Sequence, residues 1–273
     1  EGSGSTAVNT GTKGSAYDAI LVDGAVFSKT EKKFGDASLH LGKSFGKARG
    51  KVKSPLPLGP TYRETFSISA WFKKLYPRGK WRTLSRGSSY GHHLIVYYMT
   101  DDVGVYANGN GSWRNSGEFD MASADFQNDW HNVAVVSDKN TNKTRFYLNG
   151  NYKGDSDRPT GNNIYAIGNH TGGDQRFAEF IDDFRVYGVA LSSKEIASVY
   201  EEKPGADSPF QFSLKAPIIL APGASIKTPI NFIGGSEGKY QANMVITSDA
   251  KNKPLLQIPL LAQVSAFPKL VVS

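Results

Sequence analysis

Trp130-His-Asn-Val-Ala-Val-Val-Ser137 opens the stretch that decides the fold. Val133 and Val135 alternate with Ala134 and Val136, so both faces of the run are apolar, as in a strand covered on both sides. Thr144-Arg-Phe-Tyr-Leu148 follows, then Asn149-Gly150, then Asn151-Tyr152-Lys153. Asn-Gly between two strand-like runs predicts a two-residue hairpin, because both central residues of a type I′ turn need positive φ. Asn163-Ile-Tyr-Ala-Ile-Gly-Asn169 reads as a further strand, a Gly-rich loop comes next, and Phe177-Ala-Glu-Phe-Ile-Asp-Asp-Phe-Arg-Val-Tyr187 reads as a long strand. A short helix is expected over 193–201. Ser192 and Glu195 make an S-x-x-E capping box ahead of it, and Ile196 and Tyr200 lie at i, i+4 on one face.

Upstream, Phe66-Ser-Ile-Ser-Ala-Trp-Phe72 is the cleanest alternation in the chain. Phe66, Ile68, Ala70 and Phe72 share one face, with Ser67, Ser69 and Trp71 on the other. Ala25–Phe27 and Ser38–Leu41 read as short strands joined across Phe34-Gly-Asp36, and residues 1–16 as an extended, partly mobile lead-in. Arg82–Ser85, His92–Met99 and Val103–Ala107 are strand-like and separated by Gly or Asp turns, and Asn108–Arg114 reads as a loop. Lys203–Pro209 is a linker by composition. Beyond it, strands are expected at 213–220, 225–232, 240–248 and 255–264.

Composition agrees with an all-β chain. The 273 residues carry 29 glycines, 12% aromatics and no long amphipathic helical run. Cysteine is absent, so neither disulfides nor thiolate metal sites hold the fold. No apolar run approaches the roughly 18 residues of a membrane span. The abrupt Glu1-Gly-Ser-Gly-Ser5 start, with no signal peptide, leads us to expect a mature or excised piece of a longer chain. A net charge of +7 points to anionic partners or simply to solubility. The charge is concentrated: Lys29, Lys32, Lys33, Lys43, Lys47, Arg49, Lys51 and Lys53 face only Glu31 and Asp36, and a second group holds Lys73, Lys74, Arg78, Lys80, Arg82 and Arg86. No nucleic-acid-binding motif accompanies this charge.

Five stretches occur in an order that resembles a laminin-G-like domain of the concanavalin A-like lectin/glucanase fold. They are Trp130–Val136, Tyr147–Gly150, Ile167–Asn169, Ile181–Tyr187 and Ala190–Ile196. The resemblance implies a two-sheet antiparallel jelly roll over 1–203, with strand 66–72 in mid-sheet and Trp71 packed rather than binding. Within 204–273, Pro222-Gly223, Pro229–Phe232, Gly238–Tyr240 and Ile246–Asp249 resemble the second half of an immunoglobulin-like module of the abnormal-spindle/major-sperm-protein type. The expected class is therefore all-β: a concanavalin A-like jelly roll and a small, incomplete immunoglobulin-like β-sandwich. A secreted or cell-surface bacterial protein with further modules beside these is the setting we expect.

Three chemistries compete for the site. Gly117-Glu-Phe-Asp-Met-Ala-Ser123 is similar to the E-x-D-x-(x)-E word of laminarinase-type glucanases in this fold, where two carboxyl groups about 5–5.5 Å apart do retaining chemistry. Glu118 and Asp120 fill two places, but Ala122 and Ser123 stand where the second glutamate belongs, which leaves the leaving group without an acid. Glycan binding is favoured instead: Tyr90, His92, Tyr97, Tyr98, Tyr106, Trp113 and Arg114 supply stacking faces and polar groups within one short run, with Lys47 and Arg49 as candidates for an anionic sugar. Adjacent His92 and His93 point to opposite faces of a strand and cannot readily chelate one ion. Asp182 and Asp183 with Asp23 are, by the resemblance, candidates for a structural calcium. The rival to binding is a spacer or docking module with no ligand.

Overall fold

The computed structural model describes residues 4–11, 13–44, 46–61, 63–89, 91–107, 112–170, 172–201, 210–212, 218–232, 238–248 and 255–264. The chain divides into two compact units, Glu1–Pro204 and Gly205–Ser273.

In the first unit the strands are β1 (Thr6–Ala7), β2 (Ala19–Val22), β3 (Val26–Ser28), β4 (Ser38–His40), β5 (Arg49–Pro57), β6 (Phe66–Leu75), β7 (Arg82–Arg86) and β8 (His92–Val96). They continue as β9 (Asp102–Ala107), β10 (Ser112–Asp120), β11 (His131–Asp138), β12 (Lys143–Leu148), β13 (Asn151–Ser156), β14 (Asn163–Ile167) and β15 (Ala178–Tyr187), followed by the helix α1 (Ser193–Glu201). Two antiparallel sheets result, of order β1-β2-β5-β14-β7-β8-β9-β10 and β13-β12-β11-β6-β15-β4-β3. This is the jelly roll that the sequence predicts. Their inner faces enclose Phe66, Ile68, Phe72, Leu84, Val103, Val105, Val133, Val135 and Phe146, each fully buried or nearly so. Burial of each such side chain contributes roughly 1.5–3 kcal/mol.

Local chemistry fixes the turns. Asn149 and Gly150 take φ of 49° and 77°, the pair of left-handed residues that the β12–β13 hairpin needs. At the start of α1, the Ser192 amide donates to Glu195 Oε2 at 2.7 Å and the Glu195 amide donates back to Ser192 Oγ at 3.3 Å. Strand β6 buries both faces. Outside, Ser67 Oγ donates to the Val189 carbonyl at 2.7 Å and accepts from the Leu191 amide at 2.9 Å. Trp71, 4% exposed, stacks on Tyr200 of α1 at 5.4 Å, with Lys33 Nζ 4.1 Å from its ring centre. Trp71 packs, and the second sheet's outer face is occupied by α1.

Four expectations need correction. The lead-in contributes β1, an edge strand paired with β2. The run expected to continue through Met99 ends at Val96, because Asp101 at φ 69° turns the chain back. Trp113 and Arg114 belong to strand β10, not to a loop: Asn108–Gly111 lie outside the described residues, but Ser112–Asn115 pair in register with β9. In the second unit the strands are β16 (Phe210–Phe212) paired with β17 (Ile230–Phe232), and β18 (Gly238–Thr247) paired with β19 (Leu255–Val264). Residues 218–229 form no strand; Pro222 and Pro229 lack the amide a ladder requires.

Candidate functional site

One row of residues crosses the whole first sheet. Trp113 on β10 lies opposite Tyr106, Tyr106 opposite His92, His92 opposite Arg86, Arg86 opposite Ala166, Ala166 opposite Lys51, and Lys51 opposite Ile20. Residues directly paired across strands share a face. Val103 and Val105 alternate with Tyr106 and point into the core, so the row points away from it. Bulges at Thr83–Arg86, His92–Ile95 and Ile164–Ala166 bring Arg86, His92 and Ala166 into line.

The aromatic end of the row is a cluster. Trp113 contacts Trp81 edge-on at 5.3 Å and stacks on Tyr97 at 5.6 Å. Trp81 also meets Tyr97, Tyr98 and Tyr106 at 4.8, 5.5 and 5.5 Å. Trp81, Tyr97, Tyr106 and Trp113 are half-buried and Tyr98 is 37% exposed, so the rings present edges and faces to solvent. Gly104 allows this: a Cβ there would stand 2.8 Å from Trp113 Cη2 and 2.1 Å from the Arg114 carbonyl.

The other end is cationic. Buried His92 shares a hydrogen bond with Thr83 Oγ1 at 3.0 Å and stacks on His170 at 5.6 Å. Burial first, then the nearby Arg86 guanidinium, holds His92 well below the usual histidine range. The same two causes, with Arg49 as a further cation, bring His170 to about 4. Asn169 holds the loop that carries His170. Its Oδ1 accepts the amides of His170 and Gln175, each at 2.7 Å, and its Nδ2 donates to the Gly46 and Ala48 carbonyls at 2.8 and 3.0 Å. Lys51 Nζ lies 5.7 Å from the Tyr165 ring centre.

Among the candidates from sequence, Trp113, Tyr106 and His92 are thus brought together, and Arg49 lies near their basic end. Tyr90 lies outside the described residues. Arg114 is separated from Trp113: it pairs with Val105 on the core-facing side, where its Nε sits 3.4 Å from Asp157. Lys47 is exposed, and its carbonyl accepts from Arg49 at 3.0 Å. Within the two basic runs, Lys53, Lys73, Lys74, Arg78, Lys80 and Arg82 each face a carboxylate. Trp81, Asn169 and His170 join this candidate site without having been singled out from the sequence, and Arg86 was read only as one of a basic group.

Glu118 and Asp120 are exposed on edge strand β10 and, with Asp102, Asn115 and Ser116, line a hollow of about 200 Å³. The place of the third acid falls at Ala122 and Ser123, past the strand's end.

The calcium expected from the resemblance does not fit its three aspartates. Asp182 Oδ2 accepts the amides of Lys33 and Phe34 at 2.7 and 3.0 Å, and Oδ1 accepts the Asp183 amide at 2.8 Å. Asp183 pairs with Arg185 at 2.8 Å and Asp23 with Arg49 at 2.5 Å. Each of the three carboxylates thus already accepts a hydrogen donated by the protein itself. Among the described residues no group of three or more acidic or histidine side chains is arranged to hold a metal, and no helix is long and apolar enough to cross a membrane.

Several known proteins are similar to this chain. Domain 4 of a GH43 extracellular arabinanase from Geobacillus stearothermophilus, solved with arabinotriose, is 12% identical with a TM-score of 0.46, covering 72% of this chain and 100% of that one. The botulinum neurotoxin serotype G binding domain is 15% identical with a TM-score of 0.44, covering 68% and 47%. The CBM40 of a Ruminococcus gnavus IT-sialidase, bound to α2,6 sialyllactose, is 18% identical with a TM-score of 0.38, covering 60% and 96%. No curated protein matches the sequence. Residues 46–197, more than half of the chain, match the laminin-G-type family, and the protein belongs to the concanavalin A-like lectin/glucanases superfamily.

Proposed function

We propose that this protein is a non-catalytic carbohydrate-binding module that takes an anionic glycan on the outer face of its eight-stranded sheet. The observation that carries the reading is the row Trp113–Tyr106–His92–Arg86, continued by Lys51. Half-buried rings offer apolar faces to a sugar's C–H groups. Half-buried Lys51 further along the row offers charge to a carboxylate or sulfate, and the buried Arg86 guanidinium adds to the positive field beneath it. Such a ligand sets the protein to work on the outside of a cell, in secreted or surface-attached form, with the second unit as an immunoglobulin-like spacer.

A glycan array carrying neutral, uronate, sulfated and sialylated sugars, read at low and high salt, tests this. Binding confined to acidic members and weakened by salt is expected, without release of sugar from the bound glycan. Silence across the array, or equal binding of neutral glycans at both salts, overturns it.

A further inference from the structure

We propose that the buried Arg82–Asp101 pair is a positioning device that fixes the rings of the binding face. The inference rests on the binding role proposed above. Arg82 is 0% exposed and Asp101 3%. Arg82 donates to Asp101 Oδ1 and to the carbonyls of Tyr76, Tyr97 and Met121, the last three at 3.2, 3.1 and 3.4 Å. The second carboxylate oxygen of Asp101 accepts Arg78 Nε at 2.9 Å. Asp101 also donates its amide to the Tyr97 carbonyl at 3.2 Å and accepts the Met121 amide at 2.8 Å.

The two ends of the aromatic cluster are held in different ways. Tyr106 and Trp113 sit in a strand ladder. Trp81 precedes β7, and Tyr97 and Tyr98 follow β8, where the chain turns at Asp101 with φ 69°. Arg82 ties the segment that carries Trp81 to the turn that carries Tyr97 and Tyr98. A buried ion pair is a weak source of stability, since desolvation offsets much of its attraction. The hydrogen bonds that tie this pair to Tyr76, Arg78, Tyr97 and Met121 nonetheless dictate one geometry, which an apolar pair cannot.

The test uses the whole chain. Ring geometry is read from near-ultraviolet circular dichroism, and affinity from titration with polygalacturonate and dextran sulfate. Asp101→Ala should alter the aromatic spectrum and weaken binding by about tenfold, whereas Asp101→Asn, which keeps an acceptor, should restore both most of the way. Val105→Ala, a core cavity on β9, should lower the melting temperature while leaving spectrum and affinity unchanged. Arg78→Ala, at an exposed side chain, serves if Asp101→Ala fails to fold, and should shift the same spectrum to a smaller extent. An unchanged aromatic spectrum in the folded variants overturns the proposal. If the unmodified protein binds neither polysaccharide, the binding role fails for these ligands, and the spectra still decide the positioning.

Discussion

Trp113 lies directly opposite Tyr106 across the β9–β10 pair, on the face turned away from the core, while its neighbour Arg114 lies opposite Val105 and points to the other side. Trp113→Ala and Tyr106→Ala should therefore each weaken glycan binding by about tenfold at every salt concentration, because stacking is not screened. Arg114→Ala should change affinity by less than about twofold, since the pair it makes with Asp157 is exposed. Titration of the three variants checks this. A loss at Arg114 as large as that at Trp113 would place the ligand at the sheet's edge.

Charge should matter according to face rather than to position in a basic run. Lys51 shares the row's face, whereas exposed Lys47 lies outside the row. Lys51→Glu should weaken binding to an acidic polysaccharide more than Lys47→Glu does. The difference should shrink as salt shortens the Debye length below its physiological value of about 8 Å.

Calcium should leave the melting curve unmoved. Asp182 caps the turn at Lys33 and Phe34 with two amide hydrogen bonds. Asp182→Ala should cost about 1–3 kcal/mol through those bonds, equally with and without chelator. A melting temperature that falls on chelation in the native protein alone would restore the metal.

Acid should destabilise the fold through His93. Burial, against partly compensating hydrogen bonds to Ser85 and Asn163, lowers its pKa from the usual 6.5 to about 4. Between those values the unfolded chain holds the extra proton, so stability falls as pH drops from about 6.5 toward 4. His93→Gln removes this titration and should flatten the pH dependence over that window by about 3 kcal/mol. Chemical denaturation at a series of pH values measures it, and parallel curves for the two proteins would contradict it.

Much of the fold was legible because its signals are local. Val133–Val136, the Asn149-Gly150 turn and the Ser192–Glu195 box each specify their own backbone, and each is found as expected. The opposite orientation of His92 and His93 was also readable from period two: His92 meets Tyr106 and His93 meets core Phe66. The site was legible only in part, since its row depends on which distant strands adjoin. β14 inserts between β5 and β7, which brings Lys51 and Arg86 to either side of Ala166 although 34 positions separate them in sequence. Glycine and asparagine around Trp113 read as a loop and hid β10, which in turn hid that Arg114 must face away. Trp81, next to Pro77-Arg-Gly79, carries no periodic signal, and its role emerges only through contacts with rings 16 to 32 residues away.

The most direct test is a crystal structure of the protein with the acidic oligosaccharide that binds best on the array. The account predicts a sugar ring against Trp113 and Tyr106, with its carboxylate or sulfate directed along the row toward Arg86 and Lys51. A sugar held instead in the hollow of Asp102, Glu118 and Asp120, or on the sheet face that carries α1, would contradict it.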